Sequence, residues 1–379
     1  MTLTGITWDH ARGYDPLVAC SERYRELHGI RVEWKKRSLT DFGDQSLAVL
    51  AGQFDLLVMD HPHVGVALES KILCPLQELL PETELKKLEE ESAGPCFSSY
   101  RYQGSQWAIP VDAAMQCASF RPDILGDMDI PASWAEVFIL QQQLKKRDLQ
   151  IGMALCPTDC ACSFLTLAAQ LGSPLKEGSD RLVSQKTGLQ VLELLQKMRD
   201  HFHVGSLDWN PIQLYDYMST RDEIAYAPLA FGYTNYARAG FRKKILGFWE
   251  VPDLKQATLG GAGMAVSAKR PFAEEAARFA AWVGSAEIQS SIYVKEQGQP
   301  ANRAAWESEE ANNLTHHFFS HTMNTLKQAY VRPRYFGWLD FQIRLGKTLH
   351  AFLREDGNPL KTLNYLQDAY QASRQAIKD

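Results

Sequence analysis

Four side chains able to do chemistry stand within five positions near the amino terminus: Trp8, Asp9, His10 and Arg12. A second group, Asp60, His61 and His63, follows in "MDHPH". Carboxylates and imidazoles together can hold a metal ion, and a guanidinium can clasp a carboxylate through two parallel hydrogen bonds. An indole can stack on a sugar ring or a cation. Further along, "CPTDCAC" sets Thr158 and Asp159 among Cys156, Cys160 and Cys162, and Cys117 closes "PVDAAMQC". Zinc sites usually carry a Cys-x2-Cys pair with a distant matching pair, and none is present, so the cysteine-rich stretch is expected to shape a pocket as small apolar residues. Cys117 as a nucleophile would need an activating base, and no partner is assignable from sequence. Ligation by His10, His61 and His63 stays open as an alternative to hydrogen bonding with a polar ligand. Phe231, Tyr233 and Trp338 add aromatic surface.

The elements that must position these residues follow from periodicity. Residues 5–8 form a buried strand, and Asp15 before Pro16 is expected to cap a helix that ends near Gly29. "IRVEW" (30–34) alternates as a strand, "QSLAVLAGQ" (45–53) is a helix, and "FDLLVMD" (54–60) is another buried strand. That β-α-β-α-β order implies a parallel sheet covered on both faces. "QWAIPVDAAMQCASF" (106–120) is extended, with Pro110 opposing regular central pairing. Ser133 and Glu136 make a capping box. "LQIGMAL" (149–155) reads as a strand leading into the 156–162 loop and the helix "SFLTLAAQLG". "TLGGAGMAVSA" (258–268) is a second extended run, and Gly260 and Gly261 suit a hinge. In the tail, Phe341, Leu345, Leu349 and Phe352 line one helix, and Leu360, Leu363 and Leu366 line another. The result is two α/β lobes, residues 1–111 with 263–305 and residues 112–262 with 306–379.

Composition narrows the function. With a formal net charge of −5 over 379 residues, the chain lacks the basic field that nucleic acid or an anionic membrane requires. No stretch approaches the length of apolar residues that crosses a bilayer. Seven cysteines are an odd set that suits a reducing compartment. "MTLTGITWDH" shows no basic region followed by an apolar core. The chain as it stands is therefore expected in the cytoplasm, with a periplasmic location after leader removal as the alternative.

Seven segments in order resemble the family 1 extracellular solute-binding proteins, the maltose-binding-protein-like receptors of ABC importers. They are "ITWDHARGYDPLVACSERYRELHGIRVEW", "FDLLVMDHPHVGVALESKIL", "WAIPVDAAMQCASFRPDIL", "IPASWAEV", "TLGGAGMAVSA", "EEAARFAAWVGSAEIQSSIYVKEQGQPANR" and "VRPRYFGW". The resemblance implies a type II periplasmic-binding-protein fold: two α/β lobes, a hinge and an interlobe cleft that closes on a small polar metabolite of the sugar or organic- or amino-acid type. Ligands of open α/β sheets lie beyond the carboxyl ends of the strands. The implied ligand-binding residues are Trp8, Asp9, His10, Arg12, Asp60, His61, His63, Asp112, Thr158, Asp159, Phe231, Tyr233 and Trp338. The implied protein is a monomer without catalysis, cofactor or metal, served by an ABC permease if exported. The same resemblance supplies a rival, since thiaminase I is an enzyme on this fold with a cysteine nucleophile in the segment comparable to that of Cys117.

Overall fold

The computed structural model describes residues 1–38 and 47–375. The chain divides into two units, residues 1–114 with 260–314 and residues 115–259 with 315–379. The borders expected from sequence were 111/112, 262/263 and 305/306. Asp112, expected in the second lobe, falls in the first unit, where its carboxylate is bound by Arg12.

In the first unit, strands β1 (Thr2–Trp8), β2 (Arg31–Arg37) and β3 (Leu56–Met59) run parallel in the order β2-β1-β3. The short hairpin β4 (Arg101–Tyr102) and β5 (Ser105–Gln106) precedes the long strand β6 (Ala108–Phe120), which leaves this unit after Ala114. Helix Ala11–His28 joins β1 to β2 and ends at Gly29 in the left-handed conformation. Its start corrects the expectation of an Asp15 cap. His10 is the cap, its Nδ1 accepting from Arg12 N–H at 3.1 Å, and Pro16 lies inside the helix. The helix expected over 45–53 is seen as Leu47–Gln53, and residues 45 and 46 lie outside the described residues. Leu3, Leu17, Val58, Met264 and Phe279 centre one core cluster of this unit.

The second unit holds the rest of β6 together with β7 (Gln150–Ile151), β8 (Ile224–Phe231) and β9 (Gly247–Trp249). β8 pairs antiparallel with β6 and parallel with β7. The strand expected over 149–155 is thus two residues long. The expected 156–162 loop is also corrected: helix Pro157–Gln170 begins directly after Cys156. Proline at its first position needs no hydrogen-bond partner, so the stretch starts a helix. The Ser133–Glu136 box is half formed. Ser133 Oγ accepts from Glu136 N–H, but the Glu136 carboxylate takes the N–H of Ala132, one residue too early. Helices Trp338–Arg354 and Pro359–Gln375 close the chain, and Phe341, Leu345, Leu349, Phe352, Leu363 and Leu366 are buried as their spacing predicts. Leu360 is exposed, in the first turn ahead of the apolar face.

β10 (Leu259–Val266) returns the chain from the second unit and lies antiparallel beside β3 in the first, with Gly263 opposite Met59 and Val266 opposite Leu56. Gly261 takes φ +103°, and a Cβ there would sit 2.3 Å from the carbonyl oxygen of Asp112. No helix among the described residues is long and apolar enough to cross a membrane.

Candidate functional site

In the first unit, the register of β1 with β3, Gly5 opposite Leu56 and Ile6 opposite Leu57, brings Trp8 and Met59 to the same end of the sheet. The segments Asp9–Arg12 and Asp60–His63 therefore leave neighbouring parallel strands at their carboxyl ends. Trp8 is only 4 % exposed and belongs to the core. Its ring lies against Gly13, where a Cβ would come within 2.3 Å. Asp9 is exposed and paired with Lys36 at 2.8 Å. Asp60 Oδ1 accepts from the backbone N–H of His61 at 2.8 Å and lies 3.0 Å from its Nδ1. His61 and His63 are buried, and the His61 ring meets Tyr100 edge-on at 6.3 Å.

Two imidazoles thus take opposite tautomers when neutral. His10 accepts through Nδ1 and carries its proton on Nε2, whereas His61 donates from Nδ1 to Asp60 and keeps Nε2 as an acceptor. Arg12 and Asp112, one hundred positions apart, form a fork: Nε to Oδ2 at 2.7 Å and Nη2 to Oδ1 at 2.5 Å. Both are buried. Burial pushes the Asp112 carboxyl up, the charge and hydrogen bonds of Arg12 pull it down, and Asp60 pushes it up further. The net direction is up. The guanidinium expected to meet a ligand carboxylate meets a carboxylate of the chain itself.

In the second unit, β7 and β8 are parallel neighbours, so Gly152–Asp159 and Phe231–Tyr233 leave the sheet at one end. Thr158 is exposed and Asp159 buried, both in the first turn of helix Pro157–Gln170. Desolvation raises the Asp159 carboxyl to about 7, against the opposing hydrogen bond from Cys156 Sγ at 3.1 Å. A carboxyl poised there both donates and accepts hydrogen bonds near neutral pH. Phe231 ends β8, and its carbonyl accepts from the Tyr215 hydroxyl at 3.0 Å. Tyr233 is buried, with its ring 6.4 Å from that of Tyr215. Trp338 opens helix Trp338–Arg354 with 0 % exposure, packed on Tyr335 and Phe341, and its indole N–H has no acceptor among the described residues. An orphaned buried donor is rare enough to need an explanation.

Tyr100 and Tyr215 complete these clusters and were not found from sequence, since nothing local ties them to His61 or Phe231. The metal alternative has no geometry behind it: among the described residues no three His, Cys, Asp or Glu side chains could hold an ion. The thiols of Cys156 and Cys160 are raised by burial and then by Asp159, the reverse of what redox or ligating thiols need. Cys117 is fully buried, and a Cβ on Gly232 would lie 2.9 Å from its sulfur.

A family model described as bacterial extracellular solute-binding protein matches residues 19–318. No curated protein matches the chain in sequence. Among solved structures, maltose-bound MalE3 of T. maritima is 15 % identical at a TM-score of 0.83, over 97 % of this chain and 98 % of that one. An ABC transporter solute-binding protein of Thermotoga lettingae, bound to α-D-tagatose, is 15 % identical at 0.81, over 98 % and 99 %. Another from Agrobacterium radiobacter K84, in complex with ribitol, is 16 % identical at 0.80, over 98 % of both chains. At these identities the structures speak for the fold, the type II architecture read from sequence. The matched family is one of solute-binding proteins, not enzymes, which also sets the Cys117 reading aside. It is extracellular by description, which does not support the cytoplasmic expectation and agrees with the periplasmic one. Free cysteines misled there because five of the seven are buried and act as small apolar residues.

Proposed function

This chain belongs to the bacterial extracellular solute-binding proteins, and from that premise we propose that it captures an uncharged sugar or polyol outside the cytoplasm, as a monomer, and delivers it to an ABC permease. The observation that carries the class of solute is the Arg12–Asp112 fork. An organic or amino acid would need a cation for its carboxylate, and the Arg12 guanidinium, which follows the first strand, is already neutralised by Asp112. What both clusters offer instead suits hydroxyl groups: imidazoles of opposite tautomer in His10 and His61, a carboxyl near its midpoint in Asp159, and rings in Tyr233 and Trp338. The solved proteins of this fold that hold maltose, tagatose and ribitol support the same class.

The proposed action is closure of the two units on the solute, Asp9, His63, Thr158 and Phe231 completing the contacts. The solute shifts the equilibrium only by binding the closed state better than the open one. Calorimetric titration with maltose, D-tagatose and ribitol, against glutamate and citrate, tests the class. At least one neutral polyhydroxylated solute should bind and the acids should not; binding confined to the acids would sink the proposal. The radius of gyration in solution scattering should shrink at saturation, and an unchanged profile would count against closure.

A further inference from the structure

In the second unit, two exposed or half-exposed histidines sit one helical turn apart, away from the candidate ligand residues in sequence. His317 precedes helix Phe318–Lys327, and the backbone N–H of His321 donates to the His317 carbonyl at 2.9 Å. Their ring centroids are 5.5 Å apart with planes inclined by 36°. Two imidazoles in cis positions of a tetragonal ion, with metal–nitrogen bonds of about 2 Å, place their centroids about 4.5 Å apart. The rings stand about 1 Å wider than that, a gap that a change of side-chain torsion closes. The backbone is strained on the way in: His316 and His317 take φ of +45° and +63°, two successive left-handed residues that are not glycine. Such outliers cost energy and persist where the surrounding structure enforces them. His316 is committed through Nδ1 to the carbonyl of Ala237 at 2.6 Å.

We propose that His317 and His321 form a two-imidazole site for a divalent transition-metal ion, with Cu(II) held most tightly and Ni(II) next. Imidazole suits these ions, and the order follows the general affinity series. No group of three His, Cys, Asp or Glu among the described residues could hold an ion, so water or a bound solute fills the other positions. The carboxylate of Glu250 is engaged by the backbone N–H groups of Asn324 and Thr325 and the Thr325 hydroxyl. Trp249 lies beside the pair, its ring 4.4 Å from that of His321, and serves as an internal reporter.

The test is titration of the full chain with CuCl2 and NiCl2, followed by tryptophan fluorescence and calorimetry, with MgCl2 as control. Cu(II) should quench Trp249 at one ion per chain, and Trp249→Phe should remove that quenching while leaving the calorimetric binding. His317→Asn keeps a residue that tolerates the left-handed backbone. His317→Asn and His321→Ala should each weaken Cu(II) binding at least tenfold without lowering the melting temperature of the metal-free protein by more than a few degrees. Wild-type affinity in either variant, or an unquenched Trp249 at saturating Cu(II), would overturn the site.

Discussion

The two groups of carboxyl-end residues solve the same problem in opposite ways. In the first unit the polar groups are paired with one another before any solute arrives: Arg12 with Asp112, Asp9 with Lys36, Asp60 with His61. In the second, Asp159 is buried against a thiol, and the indole N–H of Trp338 has no acceptor among the described residues. Preorganisation holds donors and acceptors at set positions, while incompletely satisfied groups are where a solute gains most by binding. The first group should therefore answer mutation mainly in stability, and the second mainly in affinity and pH response.

The largest expected effect lies in the first unit. Arg12→Ala leaves the Asp112 carboxylate buried without its cation, which should cost about 3–5 kcal/mol in chemical denaturation. Replacing both partners, Arg12→Met with Asp112→Leu, should recover most of the loss. Equal destabilisation by the single and double variants would show that the fork is not the source.

Next comes a pH effect in the second unit. The folded state holds a proton on Asp159 up to about pH 7, while the unfolded chain releases it near its ordinary value of 3.8. Between these values the folded state binds more protons, so stability falls as pH rises from about 4 and levels off above 7. The contribution is about 4 kcal/mol at most from 1.36 kcal/mol per pKa unit. Asp112, also raised, acts with the same sign. Asp159→Asn should flatten part of the slope in melts from pH 4 to 8; an unchanged slope would mean that Asp159 ionises normally. Smaller again, Gly261→Ala forces a side chain into a left-handed conformation against the Asp112 carbonyl, for about 1–3 kcal/mol. A neutral melt would show that β10 can shift to make room.

The contrast also explains what could be read from sequence. The order of strands and helices is written in local periodicity, and the positions of Asp9–Arg12 and Asp60–His63 follow from strands ending just before them. The Arg12–Asp112 fork joins residues one hundred positions apart, and no local pattern announces it. Imidazole is an uncommon capping acceptor, so His10 carries no local cap signal, whereas Asp15–Pro16 carries the commoner one. "CPTDCAC" has loop-like composition, and only the proline position hints at a helix start. Burial of Asp159 beneath that turn depends on packing from elements far along the chain, among them Gly346, where a Cβ would meet the Pro157 carbonyl at 2.1 Å. Nothing local says that the turn before His317 is left-handed.

The smallest predicted effect separates the two groups most cleanly. Trp338→Phe keeps a large ring in the core packed by Tyr335 and Phe341 and removes the indole N–H. For the free protein this deletes a buried donor without an acceptor among the described residues, so stability should hold or rise slightly, against the usual loss for a trimmed core ring. If the proposed solute accepts from that N–H, solute affinity should fall about 2- to 10-fold, the worth of a hydrogen bond of about 0.5–1.5 kcal/mol. Stability and affinity then move in opposite directions, which no purely structural role for Trp338 would produce. If calorimetry finds affinity unchanged while denaturation shows a loss, the indole is a packing residue, and the second group reduces to Asp159, Phe231, Tyr233 and their neighbours.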